Sequence, residues 1–198
     1  MTTAQRETLE RIINRGLEEN PADSAQHLVT LFGIALSLRA KNILELGARN
    51  GGTTEPLVLA ASFTGGHVTS VDCATAGWVP VEGMEKHYSF VRADAVHFLS
   101  EAKDRYDLVF VDDWHACAHV KRELMLLDKL TDKRSVILLH DLMAGDTSPD
   151  YFCPNDAKYD GGEWAGGGPF KAVSELDPAV WEWSTIPVNN GLTILRKK

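Results

Sequence analysis

The spacing of apolar residues changes along this chain, and each change marks an element. From residue 3 to 19, Leu9, Ile12, Ile13 and Leu17 fall on one face among charged residues, which predicts an amphipathic helix. Asn20-Pro21 interrupts it. Ser24 stands where a helix cap would, ahead of His27, Leu28, Leu31, Phe32, Ala35 and Leu38 at helical spacing. The period then shortens. Ile43 to Leu46 is a brief apolar run carrying Glu45 and stopped by glycine, which reads as a strand entering a tight turn. A helix is expected over Glu55–Ala61, a strand over His67–Val71, a strand over Tyr88–Arg92, and a helix opening at Asp94-Ala95. Tyr106–Val111 and Ser135–Leu139 are strands flanking a helix over Ala116–Leu130. Their central residues are apolar without alternation, as expected for strands covered on both faces of a parallel sheet. Beyond a helix at Pro169–Leu176, Trp181–Val188 and Leu192–Arg196 are joined by Asn189-Asn190-Gly191, a hairpin signal.

Strand and helix alternate five times before that hairpin. The expected fold is therefore α/β, a doubly wound seven-stranded sheet with a terminal antiparallel hairpin. One domain is expected over residues 1–198, with N-terminal helices over 1–40. Residues 142–168 are rich in Gly, Asp and Pro and hold Tyr151, Phe152, Tyr159 and Trp164. A stretch that long without regular structure is expected to be a functional loop or lid.

Ligands of doubly wound sheets bind beyond the carboxyl ends of the strands. In this chain those ends carry Glu45, Asp72, Asp94, Asp112 and Asp141, one acid per strand. The turn after the first strand reads Gly47-Ala-Arg-Asn-Gly51-Gly52-Thr53-Thr54, and glycine lets backbone N–H groups approach a ligand. The dinucleotide fingerprint G-x-G-x-x-G is missing, because Ala48 and Arg49 follow Gly47; the phosphate loop G-x-x-x-x-G-K-[ST] is missing too. A rim of carboxylates repels a pyrophosphate. It suits ribose hydroxyls, an amine and a cationic centre.

Charge and cysteine content narrow the partners. The net charge of −8 disfavours a broad nucleic-acid footprint. No apolar run approaches the roughly 20 residues of a membrane span, and the N-terminus shows no apolar signal region. The three cysteines, Cys73, Cys117 and Cys153, are widely spaced and odd in number. They suit a reducing compartment, so a cytoplasmic location is expected, with no nucleic acid and no membrane as partner. Oligomeric assembly stays open.

Glu45-Leu-Gly-Ala-x-x-Gly-x-Thr53 resembles the first motif of class I S-adenosylmethionine-dependent methyltransferases, in the form used by small O-methyltransferases. That resemblance implies a Rossmann-like sheet and assigns Glu45, Gly47, Thr53, Asp72, Asp94 and Ala95 to S-adenosylmethionine. Asp72 stands where the family binds ribose, and Asp94-Ala95 where it holds adenine. The segment Tyr106-Asp-Leu-Val-Phe-Val-Asp-Asp-Trp-His115 is similar to its counterpart in catechol O-methyltransferase, and to that of enzymes related to macrocin O-methyltransferase. The likeness implies that Asp112 and Asp141, with His140 as a further candidate, hold Mg²⁺. It also places His115 where a general base stands, so His115 and Asp112 are the expected catalytic residues.

The chemistry is coherent. A divalent cation lowers the pKa of an acceptor hydroxyl, carboxylates suit Mg²⁺, and histidine takes a proton near neutral pH. One departure is Leu142, where metal-dependent relatives carry a third ligand. The expected activity is O-methylation of a small-molecule hydroxyl, on a sugar or a phenol. The alternatives are an N- or protein methyltransferase using the same donor, and a binding module without turnover. Blander roles remain open for Asp113 as a helix cap and His115 as a packing residue. His115 and His119 also stand four apart, at zinc-ligand spacing but without the accompanying glutamate motif.

Overall fold

In the computed structural model, which describes residues 1–19, 21, 24–75, 77–143 and 166–198, the apolar runs become strands β1 (Asn42–Leu46), β2 (His67–Asp72), β3 (Tyr88–Arg92), β4 (Leu108–Val111), β5 (Val136–His140), β6 (Trp181–Ile186) and β7 (Leu192–Lys197). They form one sheet in the order β3-β2-β1-β4-β5-β7-β6. The first five run parallel, and β7 lies antiparallel to both β5 and β6. The chain reverses direction across the sheet between β1 and β4. This is the switch point at which doubly wound sheets leave a crevice.

Among the described residues six α-helices cover the two faces: α1 (Thr3–Gly16), α2 (Leu28–Ser37), α3 (Thr54–Thr64), α4 (Ala95–Glu101), α5 (Cys117–Leu130) and α6 (Gly168–Ser174). Side chains alternate across each strand. Ile43, Val68, Leu108, Phe110 and Leu138 pack against Ile12, Leu28, Leu31 and Leu57 of α1–α3. Leu44, Leu46, Val109, Val111, Ile137 and Leu139 pack against Leu99, Val120, Leu124 and Val173 of α4–α6. All four residues of β4 are buried, as its unbroken apolar run predicts. No helix among the described residues is long and apolar enough to cross a membrane.

Local chemistry explains where elements start and stop. Thr2 and Gln5 close a reciprocal capping box on α1. Gly65, in the left-handed region, ends α3. Asn189, Asn190 and Gly191 all take positive φ, so the β6–β7 turn is built from the residue types that tolerate it. Ser24 departs from the sequence expectation. It takes φ 63° and makes no capping bond, and a single 3₁₀ turn at Ala25–His27 precedes α2.

Candidate functional site

The site begins at the turn after β1. Gly47 adopts φ +87°, and any side chain there would collide with the carbonyl of Asp112. Its N–H donates to the Val71 carbonyl at 2.9 Å, and the Asp112 N–H donates to the Leu46 carbonyl at 2.9 Å. The ends of β1, β2 and β4 are thereby laced together. A cleft of about 560 Å³ opens above them, lined by residues that include Gly47, Asp72, Asp94, Ala95, Asp112, Asp113, Trp114, His115 and His119. The strand order sets Asp72 and Asp94 on one side of β1 and Asp112 to His119 on the other.

On the first side the carboxylates are anchored by backbone. Asp72 accepts from the N–H groups of Arg49 and Ala74, each at 2.8 Å. Asp94 caps α4 by accepting from the His97 N–H at 2.8 Å. Each carboxylate keeps lone pairs for hydroxyl or amine donors.

Glu45 sits elsewhere than the rim reading expects. It lies within β1 rather than after it, faces α3, and is fully buried. Thr53 Oγ1 and Thr54 Oγ1 donate to it at 2.7 and 2.6 Å, and Ser70 Oγ donates as well. Three hydroxyls thus occupy a carboxylate that does not line the cleft. Burial pushes its pKa up, and the hydroxyls partly offset that. Thr53 spends its hydroxyl on Glu45, while its residue lines a smaller recess with Arg15, Ser24, Gly52 and Asp112. Glu45 and the Thr53 hydroxyl therefore brace the glycine turn from below.

On the second side, four side chains from the ends of β4 and β5 converge. His115 Nε2 lies 2.9 Å from Asp141 Oδ2 and 3.6 Å from Asp112 Oδ1. His140 Nδ1 lies 3.1 Å from Asp141 Oδ2 and 3.5 Å from Asp112 Oδ1. His140 Nε2 is 2.8 Å from the Asn189 carbonyl, so it carries the proton and turns Nδ1 toward the carboxylates. His27 stacks edge-on against His140 and donates from Nε2 to the Val188 carbonyl at 2.8 Å. Asp141 holds a left-handed backbone, φ 67°, which aims its side chain back at the cluster. Ser24 Oγ donates to Asp112 Oδ2 at 3.2 Å, an 88-residue reach that no local pattern in the sequence announces.

The electrostatics follow from this geometry. Burial opposes charge on His115 and His140, but the two aspartates outweigh it and push these rings up to about 10 and about 11. Burial likewise works against ionised Asp141 and Asp112, and the imidazoles hold both below the usual carboxylate range. For His27, burial and the neighbouring His140 lower the pKa.

A third group was legible only in part. Asp113 does not cap α5, whose cap is Ala116 with no side-chain bond. Its Oδ2 instead meets His119 Nε2 at 3.0 Å, and His119 Nε2 lies 3.5 Å from Glu123 Oε1. His115 and His119, at zinc spacing in sequence, turn to different carboxylates. Glu123 is fully buried on the inner face of α5, and burial with the charge of Asp113 pushes it up to about 8 although His119 pulls the other way. Asp113 and Glu123 push His119 up to about 10 against the effect of burial. A position matching Val120, Leu124 and Leu127 in phase yet occupied by glutamate was the available signal.

Donor atoms of Asp112, His115 and Asp141 lie within 4.8 Å of one another, and so do those of Asp113, His119 and Glu123. Leu142 is buried in the core and offers no ligand. Residues 144–165, most of the expected lid with its four aromatics, lie outside the described residues.

Comparison with known proteins bears on this arrangement. A family model described as a methyltransferase domain matches residues 44–142, from β1 past the end of β5. No curated protein matches the sequence. Among solved structures, the chain is similar to the SAH-bound methyltransferase PaMTH1 of Podospora anserina, with TM-score 0.66 and 19% identity over 100% of this chain and 89% of that one. It is similar to the O-methyltransferase of Bacillus cereus in complex with SAH, with TM-score 0.64 and 16% identity over 100% and 92%. It is also similar to TomG of Streptomyces achromogenes, an O-methyltransferase involved in tomaymycin synthesis seen with SAM, with TM-score 0.65 and 16% identity over 100% and 91%. At these identities the likeness speaks for a shared fold.

Proposed function

The chain belongs to the methyltransferase-domain family of class I fold, and from that premise we propose that it moves the methyl group of S-adenosylmethionine to a hydroxyl of a small molecule, a sugar or a phenol. The observation that carries this reading is the single cleft that joins two chemically different walls. Anchored acids suited to a nucleoside stand on one wall, and a histidine–aspartate cluster suited to moving a proton stands on the other.

The residues fit the donor. Asp72, with both oxygens steadied by backbone N–H groups, accepts from ribose hydroxyls; Asp94 and Ala95 bound the adenine end; Gly47, without a side chain, lets the donor close onto the turn, and Thr53 at the N-terminus of α3 faces its carboxylate. The donor, when bound, supplies an electrophilic sulfonium methyl. His115 takes the acceptor's proton. Asp141 at 2.9 Å and Asp112 beside it orient the ring and stabilise its charged form. Trp114, 45% exposed on the cleft wall, gives an acceptor ring an aromatic face.

The cluster also fits a divalent cation such as Mg²⁺. Asp112 and Asp141 would hold it, with His140 turned toward it by its bond to Asn189, the second-sphere support that metal-bound imidazoles need. A cation there would lower the pKa of the acceptor hydroxyl.

The test is calorimetric binding of S-adenosylmethionine and S-adenosylhomocysteine, followed by methylation of a panel of sugars and phenols. Asp72→Ala is expected to weaken donor binding about tenfold, the scale of one lost charged hydrogen bond. Chelation is expected to suppress turnover and Mg²⁺ to restore it. Absence of donor binding sinks the reading. Binding with no acceptor methylated leaves a module without turnover.

A further inference from the structure

We propose that Asp113, His119 and Glu123 form a second divalent-cation site on the cleft wall, one that takes a first-row transition metal of the Mn²⁺ to Zn²⁺ kind. The argument starts from Glu123. Its side chain is fully buried, and neither carboxylate oxygen has a hydrogen-bond partner among the described residues. Asp113 Oδ1 is likewise buried and without one among those residues. His119 cannot satisfy both acids. It presents one nitrogen, Nε2, with at most one proton, and the 3.0 Å contact to Asp113 takes it. At 3.5 Å Glu123 Oε1 is left at the margin of any bond. A buried carboxylate in that position is costly unless something positive joins it.

A dication joins all three groups at once. Metal–ligand bonds of about 2.1 Å place neighbouring donors about 3.0 Å apart in an octahedron and about 3.4 Å apart in a tetrahedron. The contacts to His119 Nε2 are 3.0 and 3.5 Å. One imidazole with two carboxylates is a softer set than the all-oxygen shell Mg²⁺ prefers, so manganese, cobalt or zinc fits better. His119 and Glu123 stand four apart on α5, one turn from each other on one helix face, and Asp113 arrives from the β4 end. Asp113 and His119 also line the cleft, so a cation enters from there and keeps open positions toward it. The proposal does not depend on methyl transfer, because it concerns residues apart from Asp112 and Asp141.

The experiment uses the full-length chain, stripped with a chelator and dialysed against Zn²⁺ and, separately, Mn²⁺, with bound metal counted by mass spectrometry. Wild type is expected to hold one equivalent of Zn²⁺ more than Glu123→Gln or His119→Gln. Asp141→Asn should keep that equivalent. Equal binding by wild type and both variants overturns the site. A second measurement needs no variant to fold: Mn²⁺ added to the wild type should broaden the ring resonances of His119. Sharp His119 resonances at saturating Mn²⁺ overturn the assignment equally.

Discussion

Glu45 and Glu123 are both fully buried glutamates in one molecule, and their surroundings differ in every respect. Glu45 is surrounded by three hydroxyls, two from the start of α3 and one from β2. Among the described residues Glu123 has no hydroxyl and no backbone N–H, only a shared imidazole whose other partner is a cleft residue. Burial raises the pKa of both; three hydroxyls pull Glu45 back, whereas Glu123 has only His119 to do so and Asp113 pushes it further up. The contrast shows that a buried acid supports a fold when its own elements supply its donors. It marks a site when they do not.

The largest expected effect tests the functional side of this contrast. Asp141→Asn should lower kcat/KM by about 10²- to 10³-fold, because His115 loses its nearest charged partner, while donor affinity measured by calorimetry stays near wild type. The structural side is tested by Glu45→Ala. It strands the hydroxyls of Thr53, Thr54 and Ser70 and should cost about 3 kcal/mol, a fall in Tm of about 10 °C. A variant of unchanged stability would refute the bracing role.

Glu123→Gln should act in the opposite direction in chelator-treated protein. The folded pKa of Glu123 is about 8, above that of an unfolded glutamate near 4.5, so the folded state retains a proton that the unfolded chain releases between those values. Its contribution to stability falls as pH rises from about 4.5 to 8 and is then constant. The glutamine variant should remove this slope, giving a Tm several degrees above wild type at pH 8 to 9 and a smaller difference at pH 5. His115 supplies the complementary profile. Its pKa of about 10 lies above the unfolded 6.5, so its ion pair stabilises fully below 6.5 and is lost as pH rises through 10. In chelated enzyme the rate that depends on unprotonated His115 should climb from neutral pH toward about 10. The smallest effect is expected from Ser24→Ala, which removes one hydrogen bond to Asp112 and should cost about 1 kcal/mol in stability by thermal denaturation.

Much of the sheet could be read from the sequence because strand burial leaves a simple trace. Leu108–Val111 and Val136–His140 are nearly unbroken apolar runs, and Asn189-Asn190-Gly191 admits little but a turn. The ends of β2, β4 and β5 were legible for the same reason, since an acid that follows the last apolar residue falls at the strand's carboxyl end or just past it. Glu45 was read on its strand but wrongly counted with the rim. Leu46 still pairs with Val111 and Val71 after it, so Glu45 belongs to the strand and shares a face with Ile43. Its three hydroxyl partners, scattered over residues 53, 54 and 70, become a group only when α3 folds onto β1. Ser24 and Asp112 meet across 88 residues, His27 and the Val188 carbonyl across 161, and neither pair leaves a periodic signal. Glu123 did leave one, in the phase of Val120 and Leu127. A lone acid within an apolar stripe becomes meaningful only once its lack of donors is seen.

The tight seat of Gly47 against the Asp112 carbonyl has a practical consequence for anyone who wants to retarget this protein to a new acceptor. The two halves of the cleft share a wall one backbone thick. Substitutions at residues 47 or 112 would disturb both occupants together, and a library built there would mostly select against its own winners. Trp114 reaches the cleft from the loop after β4 with nearly half its surface exposed and no role in that wall. It is the position at which diversity can be introduced while the donor half keeps its shape.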